Sequence, residues 1–372
     1  MVKAQPEKLE ARWWKTWFDE RYDWAGLARR RVYANRLDVR TLQDYWRRDP
    51  LTGVLRDDVA MRGAGELIMF DGREWHIAHL PPRDRSGQAE SWKTDFVHPD
   101  WDRLRDIIAV RLRLAEETPA FFDGVDAEVL FEAYDGRALL DGVVLGIAFN
   151  LGREGAAAHV SCRQARFEML DLERATLGPA ADFTGALFAS ALHVEDGTFS
   201  GAASFAHALF LDGLDVSRTR FVEDVSFDLA VLLGEGRFRG CDFGGTLTFR
   251  GVTCWRDVSF DNAIFPGGSA FHGASFLASA SFLKASFPGK VDFTEVRFAE
   301  TATFSDAAFR DVVIFNRTRF DQGAFFHRAS FSGDADFHHA RFIDGAYFQS
   351  ATFAGPARFH RVRFQDLSLI HI

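Results

Sequence analysis

The sequence predicts a mainly β protein, in which a solenoid of short strands at residues 151–372 follows a smaller α+β domain at residues 1–150. The chain has 372 residues, and 39 of them are Phe. In the second half, large apolar residues recur at steps that alternate between five and six residues. Neither a helix nor a flat strand has this period, whereas a chain that turns a corner every five or six residues does. The predicted structural ladder includes Phe183, Phe205, Phe227, Phe249, Phe271, Phe293, Phe315, Phe337 and Phe359.

A second column of small residues supports this interpretation. Two residues before most ladder positions stands an Ala or a Val, as at Ala181, Ala203 and Val225. The residues between are mostly Arg, Asp, Thr, Ser, Gln and His, which we expect on the outside. Between Phe238 and Phe364 a single ladder position lacks Phe and holds Cys254, and the earlier exceptions hold Leu, Val or Cys. Each face of the predicted coil therefore sends one large and one small residue inward.

Composition and charge exclude several classes of function. The formal net charge is −9, with an acidic excess in both halves, so we expect no direct binding to nucleic acid. Cys162, Cys241 and Cys254 show no CxxC spacing, which predicts small buried side chains rather than disulfides or a zinc site. No apolar stretch reaches the ~20 residues that a membrane helix needs. The N-terminus also lacks the apolar run of a signal peptide, so the expected compartment is the cytoplasm.

Residues 6–49 are expected to be helical. A helix that is rich in Trp, Arg and Lys is typical of a membrane surface. The acidic residues Asp19 and Glu20 among the bases instead favour a helix that packs on its own domain. The apolar residues that follow helical spacing are Leu9, Trp13, Trp17 and Trp24.

Residues 65–80 predict a β-hairpin, because two apolar runs are joined by Asp71-Gly72, a dipeptide that suits a type I′ turn. His76 and His79 fall on the second predicted strand. Their spacing points them to opposite faces, so shared metal ligation is not expected. Residues 81–91 have the composition of a loop.

Two further segments complete the predicted N-terminal domain. Residues 100–117 predict an amphipathic helix with Asp100 as a candidate N-cap. Residues 127–149 predict strands that are interrupted by an Asp135-Gly136 turn.

The N-terminal domain carries no recognised catalytic motif, and we predict no catalytic, cofactor-binding or metal-binding residue in the chain. One interpretation is a domain that caps the solenoid and packs its Trp residues into a core. The alternative is a ligand-binding or enzymatic domain, which requires a pocket formed by Glu74, Trp75, His76, Asp95, His98 and Trp101. Outward histidines on nearby coils are interpreted as solvated rather than as metal ligands, namely His327, His338, His339 and His360.

The repeat resembles a known family. Runs such as Ala181-Asp182-Phe183, Ala274-Ser275-Phe276 and Ala340-Arg341-Phe342 are similar to pentapeptide-repeat proteins, where a central Phe or Leu follows an Ala by two residues. The resemblance covers about residues 160–370 and implies a right-handed quadrilateral β-helix with four faces per coil. The six-residue step departs from the family pattern and would lengthen a coil from about 20 to about 22 residues. Gly and Pro often accompany the extra residue, which suits a wider corner.

The C-terminal coil is a candidate interface. Ile370 is expected to continue the ladder by a step of six, and the chain finishes in LSLIHI without a capping helix. Uncapped strand edges invite pairing. We therefore hypothesise an end-to-end homodimer through Phe364, Leu367, Leu369, Ile370 and Ile372.

Three functions follow from these patterns. The first is a non-catalytic scaffold for protein interaction, with the partner unknown. The second comes from the resemblance, because some Phe-centred family members mimic duplex DNA and bind DNA gyrase, a type II topoisomerase; the weak acidity of this repeat argues against it. The third is the ligand-binding or enzymatic N-terminal domain displayed on the rod.

Overall fold

The computed structural model describes residues 5–18, 67–101, 104, 137–150, 159–365 and 370–371. Strands predominate in these residues, and they form a β-solenoid of about nine turns. The described helices are too short or too polar to cross a lipid bilayer. The predicted mainly β solenoid is confirmed.

Each coil of the solenoid places short strands on four faces. Thr198 pairs in parallel with Arg220, and Arg220 pairs with Asp242, so successive strands on one face lie 22 residues apart. Face 1 contains Arg137–Leu139, His159–Ser161, Ala180–Asp182, Ala202–Ser204, Val225–Ser226, Leu247–Thr248, Ser269–Ala270, Val291–Asp292, Val313–Ile314, Ala335–Asp336 and Ala357–Arg358. Face 2 contains Val144–Asn150, Arg166–Asp171, Leu187–Phe188, Leu209–Phe210, Val231–Leu232, Thr253–Cys254, Ser275–Phe276, Arg297–Phe298, Arg319–Phe320, Arg341–Phe342 and Arg363–Phe364.

The other two faces repeat the same register. Face 3 contains Leu192–His193, Leu214–Asp215, Gly236–Arg237, Val258–Ser259, Ala280–Ser281, Ala302–Thr303, Ala324–Phe325, Ala346–Tyr347 and Ile370–His371. Face 4 contains Thr176–Leu177, Thr198–Phe199, Arg220–Phe221, Asp242–Phe243, Ser286–Phe287, Ala308–Phe309, Ser330–Phe331 and Thr352–Phe353. The 22-residue coil expected from the alternating steps is confirmed by these pairings.

The two inward columns account for the core. Val291 and Phe293 are both 0% exposed, whereas Asp292 between them is partly exposed on the outer side. This in-out-in alternation is that of a β-strand, and the chain turns a corner after three residues. The same pattern recurs on each face, and it buries the Phe ladder in one continuous apolar cluster.

The two kinds of corner differ in their backbone. Residues in the left-handed region recur at every eleventh position at the five-residue corners, as at Arg218, Leu229 and Gly240. At the six-residue corners, glycine is needed chiefly for close approach: a Cβ on Gly201 would lie 1.7 Å from the carbonyl oxygen of Pro179 in the preceding coil. The expected wide corner is therefore a place where two backbones almost touch.

The parallel ladder begins before residue 151, where the sequence analysis starts the solenoid. Arg137 pairs with His159, and Val144 pairs with Arg166, each in the 22-residue register. Leu140 and Leu145 are buried in the solenoid core. The sequence pattern there is Leu rather than Phe, which concealed this coil from a search for aromatic rings.

The N-terminal residues agree in part with expectation. The α-helix α1 spans Pro6–Trp17, with Trp13 and Trp17 buried, which favours packing on the protein over a membrane surface. The predicted hairpin is confirmed as strands Leu67–Phe70 and Arg73–His76, with positive φ at Asp71 and Gly72.

His79 is an exception to the predicted hairpin. It lies in a short 3-10 helix, Ile77–His79, rather than on the second strand, and its Nε2 lies 2.9 Å from the carbonyl oxygen of Asp141. A second 3-10 helix spans Trp92–Thr94.

Several predictions fall largely outside the described residues. These are the remainder of the 6–49 helix, most of the 100–117 helix, and the Asp135-Gly136 turn. Trp101 and Leu104 are helical, as predicted, whereas Asp100 is already part of the helix rather than its N-cap.

Candidate interaction surfaces

The interior of the rod is filled by stacked rings. Phe293 lies between Phe271 and Phe315 in one column, with ring centroids 4.8 and 5.0 Å from its own. Across the core it meets Phe282 and Phe304 edge to face, each at 5.4 Å. Both arrangements are favourable for aromatic quadrupoles. Binding surfaces on the described coils must therefore lie on the outer faces or at the ends.

Arginines form ion pairs with carboxylates of the preceding coil, so positive and negative side chains lie side by side on the outer faces. Arg218 donates to Asp196 Oδ1 at 2.7 Å, one coil away, and also contacts Glu195. Arg328 donates to Asp306 Oδ1 at 2.6 Å in the same relation. The hydrogen bonds from these arginines lower the pKa of Asp196 and of Asp306. A mimic of duplex DNA needs a continuous acidic stripe, and the interleaved arginines interrupt it.

Three of the outward histidines form a cluster on two neighbouring coils, and the fourth is separate. His338 and His360 stack at 4.9 Å, and His339 meets His338 edge on at 4.4 Å. Desolvation lowers the pKa of His339, and the surrounding cationic groups act in the same direction. His327 lies edge on to Phe325 instead. In the described part of the chain, no group of three His, Cys, Asp or Glu side chains could hold a metal ion.

The described candidates for an N-terminal pocket divide into two groups. Trp75 is buried and stacks on Trp17 with ring centroids 5.8 Å apart. His98 and Trp101 belong to the second group, because each contacts the ring of Trp92 at 5.0 Å. The two groups are held by different neighbours.

Polar atoms of the second group are used locally. Asp95 Oδ1 accepts a hydrogen bond from the backbone N–H of Val97, and the Asp95 carbonyl accepts one from Trp101 Nε1. The side chains of Glu74 and His76 lie outside the described part. The described contacts therefore do not bring the predicted pocket residues together.

The sequence analysis did not predict that helix α1 packs on the outer side of the early coils. Leu187 and Leu209, which point outward from face 2, pack against Trp13 and Trp17 of α1 in a second buried cluster. Trp13 Nε1 also donates to the carbonyl oxygen of Gly185 at 2.7 Å. Helix α1 is thus attached to the side of the rod.

The sequence did contain a signal for this contact. After Arg166, the outward position of face 2 is apolar in three successive coils, polar at Thr253 and Ser275, and basic in the later coils. The residues concerned are Leu187, Leu209 and Val231, followed by Arg297, Arg319, Arg341 and Arg363.

The C-terminal end of the rod exposes its last rings. Phe353 is 37% exposed and Phe359 is 41% exposed, whereas Phe331 and Phe337, one coil earlier, are 1% and 0% exposed. Each end ring still stacks on its predecessor, at 4.5 and 4.8 Å. Phe364 is half-buried. These rings form an apolar terminal surface.

The predicted ladder position of Ile370 is wrong. Strand Ile370–His371 pairs with Ala346–Tyr347, so Ile370 aligns with a small-residue position rather than with the ladder position of Phe348. Two additional residues precede this strand, relative to the 22-residue register of the coils before it. The remaining predicted interface residues, Leu367, Leu369 and Ile372, lie outside the described residues.

Comparison with known proteins supports the repeat. Residues 282–330 and 326–371 match a family model described as pentapeptide repeats in 9 copies. Comparison with curated proteins finds no match. Among solved structures, the chain is similar to HetL, a pentapeptide repeat protein involved in heterocyst differentiation regulation from the cyanobacterium Nostoc sp. strain PCC 7120. The two are 15% identical with a TM-score of 0.29, over 60% of this chain and 97% of HetL. Residues 282–371 thus match the pentapeptide-repeat family model, and the same columns of large and small residues continue through the preceding coils.

Proposed function

We propose that the chain is a non-catalytic interaction scaffold that binds a second copy of itself through its C-terminal coil. The observation that carries the proposal is the exposure of Phe353 and Phe359 at the end of an otherwise buried ladder. Burying apolar surface contributes about 25 cal/mol per Å². Terminal repeats of a solenoid need a polar outer surface to remain soluble alone, and these rings do not provide one.

A second copy suits this surface because the two ends would be identical. The last strands on three faces, Thr352–Phe353, Ala357–Arg358 and Arg363–Phe364, have no following coil to pair with in the described part of the chain. Another end of the same cross-section presents matching edges on the same faces. A two-fold arrangement closes such a contact after two copies.

The basic side chains of the last coil modulate this association. Arg358, Arg361 and Arg363 are exposed around the same end, and Arg358 pairs with Asp334 of the coil beneath. Two ends brought together would oppose these like charges. Salt screens such repulsion, so we expect the dimer to tighten as ionic strength rises.

The test is light scattering of the full chain at micromolar concentration. We expect a dimer for the wild type and a monomer for Phe359→Lys, because a cation cannot be buried at the contact. Ile264→Lys is the matched control, since Ile264 is 44% exposed on the side of the rod. A monomeric wild type, or a Phe359→Lys variant that remains dimeric, would contradict the proposal.

The scaffold role is also supported by the filled interior, which leaves function to the outer surfaces. Cys162, Cys241 and Cys254 are free and buried, which suits a reducing compartment and supports our proposal of a cytoplasmic scaffold. Burial raises the pKa of each of these thiols, which makes them poor nucleophiles.

A further inference from the structure

A cleft of about 1430 Å³ separates helix α1 from the beginning of the solenoid. Trp14 of α1, Phe18 directly after α1, and the loop at residues 82–87 line this cleft. Trp101 and Arg166 also line the cleft. The cleft is independent of the C-terminal surface, which lies at the other end of the rod.

Lys93 lies at the floor of this cleft. Lys93 is only 2% exposed, and its Nζ donates hydrogen bonds to the carbonyl oxygens of Ala78 at 3.1 Å and Val144 at 2.7 Å. An ammonium group has three donors, and these bonds use two of them. Lys93 forms no salt bridge with a carboxylate among the residues that the structure describes. The rings of Trp92 and Trp101 lie 5.9 Å from Nζ.

Arg166 adds a second cation to the same cleft. Its side chain is 15% exposed and contacts Glu168 at 3.1 Å and Glu10 at 3.5 Å. The ring of Trp14 lies 5.9 Å from its guanidinium carbon. Its Nε is buried and donates to no partner in the described part of the chain, which is costly for a charged group.

The charge of the cleft is opposite to that of the protein. Six basic and four acidic side chains line it, although the chain as a whole carries −9. Burial lowers the pKa of Lys93 well below its ordinary value, and repulsion from Arg166 adds to the effect. An anion at this position would offset both the desolvation of Lys93 and its repulsion from Arg166, because it would pair with the ammonium group and favour the charged form.

We propose that this cleft binds a small organic anion with a flat apolar body, of the class of the aromatic carboxylates. The carboxylate would meet the third donor of Lys93 and, after a shift of the Arg166 side chain that exposes its buried Nε–H, would accept a hydrogen bond from that group as well. The apolar body would lie among the rings of Trp14, Phe18 and Trp101, which supply area and aromatic contacts. The acidic partners Glu10 and Glu168 hold Arg166 in place, so they favour a ligand of one negative charge over a more highly charged one.

The test is calorimetric titration of the full chain with 2-naphthoate and, separately, with 2-naphthamide. The two probes have the same ring system and differ in charge. We expect saturable binding of 2-naphthoate that is at least tenfold tighter than that of 2-naphthamide and that weakens as salt is added. Equal binding of the two probes, or no saturable heat with 2-naphthoate, would overturn the proposal.

Variants locate the site. Lys93→Met keeps the apolar stem and removes the charge, and we expect it to weaken 2-naphthoate binding at least tenfold. Arg174→Gln is the control: it removes a charge from an exposed corner outside the cleft and should leave 2-naphthoate binding unchanged. Unchanged binding by a folded Lys93→Met would place the probe elsewhere and refute the site.

A second variant covers the case in which Lys93→Met does not fold. Lys15 is exposed on α1 and lines the cleft, so Lys15→Glu reverses a charge at the rim without touching the core. We expect it to weaken 2-naphthoate binding severalfold. Binding that is unaffected by Lys15→Glu would contradict an electrostatic site in this cleft. None of these outcomes depends on whether the chain dimerises through its C-terminal coil.

Discussion

Two stretches of the rod differ in how their ladders are filled. Between Phe271 and Phe348 every ladder position holds Phe, and the rings of each column lie parallel, as for Phe304 and Phe326 at 5.1 Å and 5°. Between residues 194 and 254 the ladder is interrupted at Val194, Val216, Leu232 and Cys254. We call these the regular and the interrupted coils.

The interrupted coils respond by moving rings rather than backbone. Phe249 is turned by 50° relative to both Phe227 and Phe271, its neighbours in the column. It lies instead within 6° of parallel to Phe276, at 6.1 Å, on the side of the core where Cys254 takes the place of a ring. A side chain from one face thus fills the space left by a small residue on another.

The backbone register does not change across the interruption. Leu232 pairs with Cys254, and Cys254 pairs with Phe276, at the same 22-residue step as in the regular coils. The corners and the backbone pairing therefore determine the length and register of a coil, whereas the ladder residues determine how well its core is packed. Four expected effects, each measured with matched substitutions, test this separation.

The largest effect is expected from removing a ring in the regular coils. Phe293→Ala deletes a side chain that is 0% exposed and packed by rings above, below and across the core. We expect a loss of about 3–5 kcal/mol in the free energy of unfolding, because such a cavity cannot collapse in a rigid stack. Equilibrium unfolding in urea measures it.

Val216→Ala is the counterpart in the interrupted coils. Val216 is also 0% exposed, but only two methyl groups are lost, and we expect about 1–2 kcal/mol. Equal losses for the two variants would show that the ring stacks contribute no more than aliphatic filling.

The next effect concerns the close approach of backbones at the six-residue corners. A Cβ on Gly234 would lie 0.8 Å from the carbonyl oxygen of Asp212 in the preceding coil. Gly234→Ala must therefore displace backbone, and we expect a loss of about 2–3 kcal/mol in stability. At Gly213 the nearest atom would be 3.3 Å away, so Gly213→Ala serves as the control and should cost less than about 1 kcal/mol. A reversed order in urea unfolding would contradict the role of this contact.

The third effect tests whether Phe249 occupies the space beside Cys254. Cys254→Phe completes the ladder but competes with the turned ring, and we expect it to destabilise the protein by about 1–3 kcal/mol. Phe249→Leu should relieve the competition, so the double variant should be less destabilised than the sum of the single ones. A double-mutant cycle measures the coupling. Strict additivity would mean that the two residues do not share this space.

Much of the fold could be predicted because the repeat is redundant. A five-six step with Phe and Ala columns specifies a coil of 22 residues, and no single departure obscures it. The first coil was missed because Leu140 and Leu145 replace the rings there. The position of Ile370 was missed because two extra residues shift the register, and a step count alone cannot detect where they are accommodated.

The candidate surfaces were less predictable, because they depend on contacts between distant segments. The sequence indicated an apolar C-terminal surface from Phe364 onward, whereas the rings that the structure exposes are Phe353 and Phe359. The packing of α1 on Leu187 and Leu209 required knowing which face α1 covers. The floor of the cleft required the approach of Lys93 to the carbonyl of Val144, which is 51 residues away in the chain and carries no motif.

The smallest effect tests whether the five-residue corners are equivalent in the two stretches. Leu229 in the interrupted coils and Lys284 in the regular coils have φ of 60° and 56°, a region that disfavours side chains by about 1–2 kcal/mol. Glycine removes that cost but loses about 0.5–1 kcal/mol through the greater freedom of the unfolded chain. Leu229→Gly and Lys284→Gly should therefore each stabilise the protein by up to about 1 kcal/mol.

Asn262 is the matched control for these two substitutions. Its φ is 58°, but Asn tolerates this region, so Asn262→Gly should leave the midpoint of thermal unfolding almost unchanged. Similar gains at Leu229 and Lys284 would mean that corner geometry is independent of the filling of the core beside it. A gain in stability for Lys284→Gly alone would show that the missing rings of the interrupted coils also alter the backbone at the corners, although the strand register is unchanged.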